Sequence, residues 1–236
     1  KEFTVKQNDA GQRLDRFVGK TAPLLPSSLL QKYIRRKWLV LVIHLKKVQS
    51  HSEKSFSELI SANDPFGYDV RVSDSYKRVK PSFSLTAKDD TVKFYYNGWR
   101  KDGVGYVDRS SIRKGHDLID KCKLLVAKAW GTGNIQTDWI NPFMVEAPSV
   151  CTETYLVIGP FASESEAKNA ISYTQTKFFH IMVSVMKITQ NTMQKAYTCV
   201  PLQDFSKPWT DAELYAKYGL TEEEIAFIES MIKPME

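Results

Sequence analysis

Apolar side chains recur at helical spacing through the first part of the chain: Leu14, Phe17, Val18 and Thr21 form one stripe, with Arg13, Arg16 and Lys20 opposite. Pro23 and Pro26 interrupt this pattern. Ser27 or Ser28 then N-caps a second predicted helix, with Leu29, Leu30, Tyr33 and Ile34 on its apolar face. Lys32, Arg35 and Arg36 make its other stripe, followed by Lys37, and the apolar run 38–43 is the right length for a buried strand. Residues 44–54 are polar and read as a linker. Beyond them, 55–61 suggests a helical turn or two, ended by Asn63-Asp64-Pro65. Short alternating segments at 68–72, 83–86, 92–96 and 104–108, parted by Gly, Asn, Asp and Pro, predict a small antiparallel sheet. Residues 123–130 and 152–158 read as further strands. Ser163 with Glu166 forms a capping-box pattern that opens a long helical repeat from Ala167 to Met186. Thr210 with Glu213 and Thr221 with Glu224 start two short helices, the second burying Ile225, Ile228 and Ile232.

The fold class expected from this is α+β: a small basic helical module at about 1–50, then a mixed antiparallel-sheet and helix domain at 55–236. Length (236 residues) and a hydrophobic content of 42% allow a real core. No apolar run approaches the roughly 20 residues that span a bilayer. No membrane partner is therefore expected. The N-terminus alternates polar and apolar residues without a small-residue cleavage site, so no secretory leader is expected either. Cys122, Cys151 and Cys199 are odd in number and far apart, which suits reduced buried thiols and a cytoplasmic location.

Charge is unevenly spread. Residues 1–50 carry eleven Lys/Arg against three Asp/Glu, a net of +8. Residues 51–200 carry nineteen against sixteen, and residues 201–236 three against eight. A basic head and an acidic tail point to a polyanion at the head. Two short helices with basic outer faces suit phosphate contacts, with Arg13, Arg16, Lys32, Arg35, Arg36 and Lys37 as the candidates.

Four further stretches mix the cations, amides and aromatic rings that read or stack upon bases. They are Lys77, Arg78 and Lys80 beside Tyr76; Trp99, Arg100 and Lys101 between two turn dipeptides; Trp130 to Asn134 with its glycines; and 187–195, with Lys187, Gln190 and Asn191. Each has a plainer reading. In order these are a surface loop, hairpin decoration, a tight turn, and a helix end where lysine is favourable. Catalytic candidates are weaker. The four histidines lack a spaced partner and no Cys-x-x-Cys occurs, so no metal and no cofactor is expected in this chain. Glu166-Ala167-Lys168 mimics a nuclease motif, but a capping role accounts for Glu166. No nucleophile motif is present, and no catalytic residue is assigned.

The stretches 9–17 (DAGQRLDRF) and 26–37 (PSSLLQKYIRRK), with 2–5 ahead of them, resemble an RNA-binding domain of the type found in ribosomal small-subunit protein four and at the N-terminus of pseudouridine synthases. That resemblance spans about residues 1–47 and implies an RNA-facing surface on Lys32, Arg35, Arg36 and Lys37. The sequence departs from it after Lys37, where the Asn-Gly hairpin turn is missing, and no synthase catalytic domain follows. Asp15 lies within the binding module and reads as a helix-surface residue.

From about residue 56 to 236 the chain resembles the C-terminal specificity region of N6-adenine DNA methyltransferases of restriction–modification systems, including forms fused to an endonuclease. The resemblance rests on 92–108 (VKFYYNGWRKDGVGYVD), 119–133 (IDKCKLLVAKAWGTG), 151–161 (CTETYLVIGPF) and 200–217 (VPLQDFSKPWTDAELYAK) in that order. It implies target recognition on duplex DNA by loops. The methylating Asn/Asp-Pro-Pro-Tyr motif is absent, Asn141-Pro142-Phe143 being its nearest echo, and so is the Phe-x-Gly-x-Gly cofactor loop. The expected function is therefore non-catalytic DNA binding. The alternatives are binding of structured RNA through residues 1–50, or an adaptor role docking on a separate methyltransferase or endonuclease subunit.

Overall fold

The computed structural model describes residues 54–68, 82–130, 138–187 and 191–233. Within them the chain is α+β, with two small sheets and helices. Strands β1 (Thr91–Tyr95) and β2 (Gly105–Asp108) form an antiparallel hairpin, with Val92 opposite Val107. β3 (Cys122–Ala127) is the centre of the second sheet, flanked by β4 (Phe143–Val145) and β6 (Tyr155–Phe161), both antiparallel to it. β5 (Ser149–Cys151) returns to the first sheet and runs parallel to β1. The first sheet is thus mixed, and the second is antiparallel.

The two-residue alternation of strand side chains explains how these layers stack. Leu124 and Val126 of β3 and Leu156 and Ile158 of β6 join a core with Tyr173, Phe178 and Phe179 from the helices. Leu125 and Val157, one residue out of phase, join a second core with Val92, Phe94 and Val150 of the first sheet. The second sheet is therefore covered on both faces: helices on one side, the β2-β1-β5 sheet on the other. Such double burial suits the uninterrupted Leu124-Leu125-Val126 run.

The alternating segment at 83–86 reduces to a bridge between Ser84 and Tyr106, and 68–72 lies mostly outside the described residues. The strand expected at 152–158 begins three residues later, because Thr152 to Thr154 form a turn that returns from β5. The turn at 55–61 is a 3-10 turn at Phe56–Leu59 with a full capping box from Ser55 and Glu58.

The helical repeat from Ala167 to Met186 is not one helix. It divides into α2 (Glu164–Thr174) and α3 (Lys177–Met186), numbered after the single turn α1 (Trp99–Asp102). The Thr176 side chain caps Phe179 N–H at 3.1 Å. The Asp211 carboxylate accepts from Lys177 N–H and Phe178 N–H at 3.1 and 2.8 Å. With these amides bound laterally, a new helix start is as well satisfied as a continuous one. Helices α4 (Asp211–Lys217) and α5 (Glu222–Met231) start at the expected capping boxes. Ile228 and Ile232 are buried and Ile225 is partly so. No described helix is long and apolar enough to cross a membrane.

Candidate nucleic-acid interface

Arg13, Arg16, Lys32, Arg35, Arg36, Lys37, Lys77, Arg78, Lys80, Asn134 and Gln190 lie outside the described residues. Trp99, Arg100, Lys101, Trp130, Lys187 and Asn191 lie within them, and their surroundings can be built up from the backbone.

The β1–β2 connection is the one-turn helix α1, bounded by two left-handed glycines. Gly98 has φ 108° and Gly103 φ 91°, values that side chains strain to adopt. Gly103 N–H closes the turn on Trp99 O at 2.8 Å. The turn aims the three residues in different directions. Trp99 folds back onto the sandwich, its indole N–H donating to Tyr155 Oη at 3.1 Å. Its ring meets Tyr95 edge-on (5.1 Å between centroids) and lies beside Phe143 at 5.3 Å, tilted 34°. Burial pushes the Tyr155 hydroxyl's pKa up, partly offset by the Trp99 hydrogen bond. Arg100 lays its guanidinium across the aromatic pair, 4.9 Å from the Trp99 centroid and 5.0 Å from that of Phe143. Lys101 is exposed. Among the described residues no carboxylate lies within ion-pair distance of Arg100 or Lys101.

The second cluster forms where β3 ends. Thr192 N–H donates to Lys128 O at 2.8 Å, and Ala129 bridges Asn191, so residues 191 and 192 lie beside the strand's exit. Lys187, the C-terminal cap of α3, reaches Trp130: its Nζ donates to Trp130 O at 3.0 Å and stands 3.5 Å from the ring centroid. Trp130 and Trp139 lie against buried His180, at 6.3 and 5.0 Å between ring centroids. Lys128 Nζ donates to Asn63 Oδ1 at 3.1 Å, and Asn191 is exposed.

These clusters occupy the same end of the second sheet. Tyr155, which holds Trp99, pairs with Ala127, and Lys128 N–H donates to Thr154 O at 2.9 Å. The Trp99 group lies on the side of the first sheet and the Trp130 group on the helical side. Trp99-Arg100-Lys101 and the group of Trp130, Lys187 and Asn191 thus lie at one end of the second sheet, on its two sides, although sequence spacing separates them. Sequence reasoning missed Tyr95, Phe143 and Tyr155 as the seat of Trp99, and His180 with Trp139 beside Trp130. Strand parity carried part of that signal, since Tyr155 shares a face with Val157. Nothing local in the sequence marks Phe143.

Lys123 and Cys151 lie in the interior. Lys123 is fully buried between the sheets, with Nζ donating to Ile119 O at 3.0 Å and Lys121 O at 3.3 Å. Burial lowers its pKa to about 8. Cys151 is buried, which raises its thiol pKa, and all three cysteines are unbridged. Glu166 accepts from Ala162 N–H at 3.0 Å while its own N–H bonds Ser163 Oγ, an arrangement of helix capping. Among the described residues no three His, Cys, Asp or Glu side chains are grouped to hold a metal. No family model matches the chain, and neither a curated protein nor a solved structure matches it.

Proposed function

We propose that the chain binds duplex DNA at a target site without acting on it chemically, as the specificity portion of an N6-adenine methyltransferase or restriction–modification enzyme. In this reading residues 55–236 are a target-recognition domain and residues 1–50 a basic module of RNA-binding type. The observation that carries it is that two cation-and-aromatic clusters, Trp99-Arg100-Lys101 and Trp130 with Lys187 and Asn191, stand at the same end of the β3–β6 pair. Each cluster joins cations to aromatic rings, the second beside an exposed amide, a mixture that suits phosphate and base contacts. Residues 51–236 carry a net of −2 overall, so binding there depends on this local concentration of positive groups.

A second reading, structured-RNA binding by residues 1–50, is favoured by their net charge of +8. The test is fluorescence anisotropy of the full chain with duplex DNA, single-stranded DNA and a structured RNA at two salt concentrations. Arg100→Glu/Lys101→Glu is compared with Arg35→Glu/Arg36→Glu. Duplex binding that weakens with salt and is lost in the first variant supports DNA recognition. Binding of RNA alone, lost only in the second variant, rejects it. Absence of any nucleic-acid binding leaves docking on a methyltransferase or endonuclease subunit as the remaining reading.

A further inference from the structure

Trp99 and Phe143 are arranged as a platform. Tyr95 meets Trp99 edge-on at 84°, and Tyr155 meets Phe143 edge-on at 86° and 5.8 Å. With the indole also held at its edge by Tyr155 Oη, the pair has little rotational freedom left to lose on binding. Both rings are only partly buried, and Arg100 lies over the two of them. A guanidinium is a flat cation that covers an aromatic face without a fixed covalent or ionic tether. A nucleobase is flat in the same way, and its flanking phosphate is a partner for the displaced guanidinium.

The geometry points to a stacking site for one unpaired nucleobase on the Trp99–Phe143 pair, with Arg100 moving from the rings to the adjacent phosphate and Lys101 beside it. The inference rests on the nucleic-acid reading above and narrows it to a preference for strands that offer an unstacked base. Charge complementarity selects the occupant: the cover is cationic, and Arg100 and Lys101 have no carboxylate partner among the described residues. Arg100 acts by charge, whereas Trp99 and Phe143 act by surface, so their removal has different consequences.

The experiment uses the full chain and three labelled probes: a duplex, the same duplex with one bulged base, and the single strand. The wild type is expected to favour the bulged and single-stranded probes over the duplex by about tenfold, the scale of one base stacked on an aromatic ring. Phe143→Leu and Trp99→Leu are both expected to abolish that preference, and Phe143→Leu to do so while retaining duplex binding. Arg100→Ala is expected to weaken all three probes alike and to lower the salt slope by about one. Near-ultraviolet circular dichroism checks folding, and Tyr155→Phe, which removes only the hydrogen bond to Trp99, serves if Trp99→Leu does not fold. Equal affinity of the wild type for bulged and unbroken duplex overturns the inference while leaving DNA recognition intact. Persistence of the preference in Phe143→Leu and either Trp99→Leu or Tyr155→Phe overturns it as well. Failure of every probe to bind removes the underlying reading together with the inference.

Discussion

Lys123 places an amine in the layer between two sheets, fully shielded from solvent and hydrogen-bonded to carbonyls alone. Its pKa falls from 10.5 to about 8, with desolvation the leading cause and the neighbouring Cys151 and Asp120 opposing it. Between those values the unfolded chain holds a proton that the folded chain has released, so stability rises with pH across this window. Below about pH 8 the buried ammonium costs the fold about 3 kcal/mol. Above 10.5 that cost is gone. Lys123→Met removes the charge at similar volume. Ile119 O keeps a donor in Ser149 N–H at 3.0 Å, so the lost hydrogen bonds cost only about 1 kcal/mol. The variant is therefore expected to be about 2 kcal/mol more stable than wild type at pH 7, and near parity at pH 10. Urea denaturation of both proteins at pH 7, 8, 9 and 10 measures this. The comparison between them cancels the destabilisation above pH 10 from buried tyrosines such as Tyr173 and Tyr197, whose pKa values burial raises. A difference in stability that stays constant from pH 7 to 10 refutes the assignment of this titration to Lys123.

Asp211→Ala strips two amides at the start of α3 of their acceptor and is expected to cost about 2 kcal/mol in urea denaturation, the upper range for a lost cap. Thr221→Ala removes the side chain that caps Glu224 N–H in an exposed box, and a loss of about 1 kcal/mol is expected by the same measurement. Phe56 is fully buried among Tyr173, Phe179 and Phe205, so Phe56→Ala is expected to cost about 4 kcal/mol, read as a lower thermal midpoint. Bonds from Lys207 and Thr210 hold the Glu213 carboxyl down to about 2. Its contribution to stability is present above its unfolded value of 4.5 and is lost as pH falls through about 2, with the carboxyl's NMR titration midpoint as the check.

Local chemistry was legible in the sequence. The helix starts at Thr210 and Thr221 need only a hydroxyl and a carboxylate three residues apart, and both sit in one turn. The hairpin of β1 and β2 was legible for the same reason, since alternation and two glycine turns are properties of consecutive residues. The break between α2 and α3 was not. The acceptor that satisfies the amides of Lys177 and Phe178 belongs to Asp211, more than thirty residues away, and the apolar spacing runs through the break unchanged.

The candidate surface divides along the same line. Composition alone singled out Trp99-Arg100-Lys101, Trp130 and Lys187 as side chains able to meet nucleic acid. Only the tertiary structure decided that Trp99 is turned inward onto Tyr95 and Phe143, that Arg100 covers it, and that Lys187 crosses to Trp130. Side-chain type follows from the sequence directly, whereas the pairing of β3 with β6 and the bridge of Ala129 to Asn191 depend on which distant strands and helices bury one another's faces.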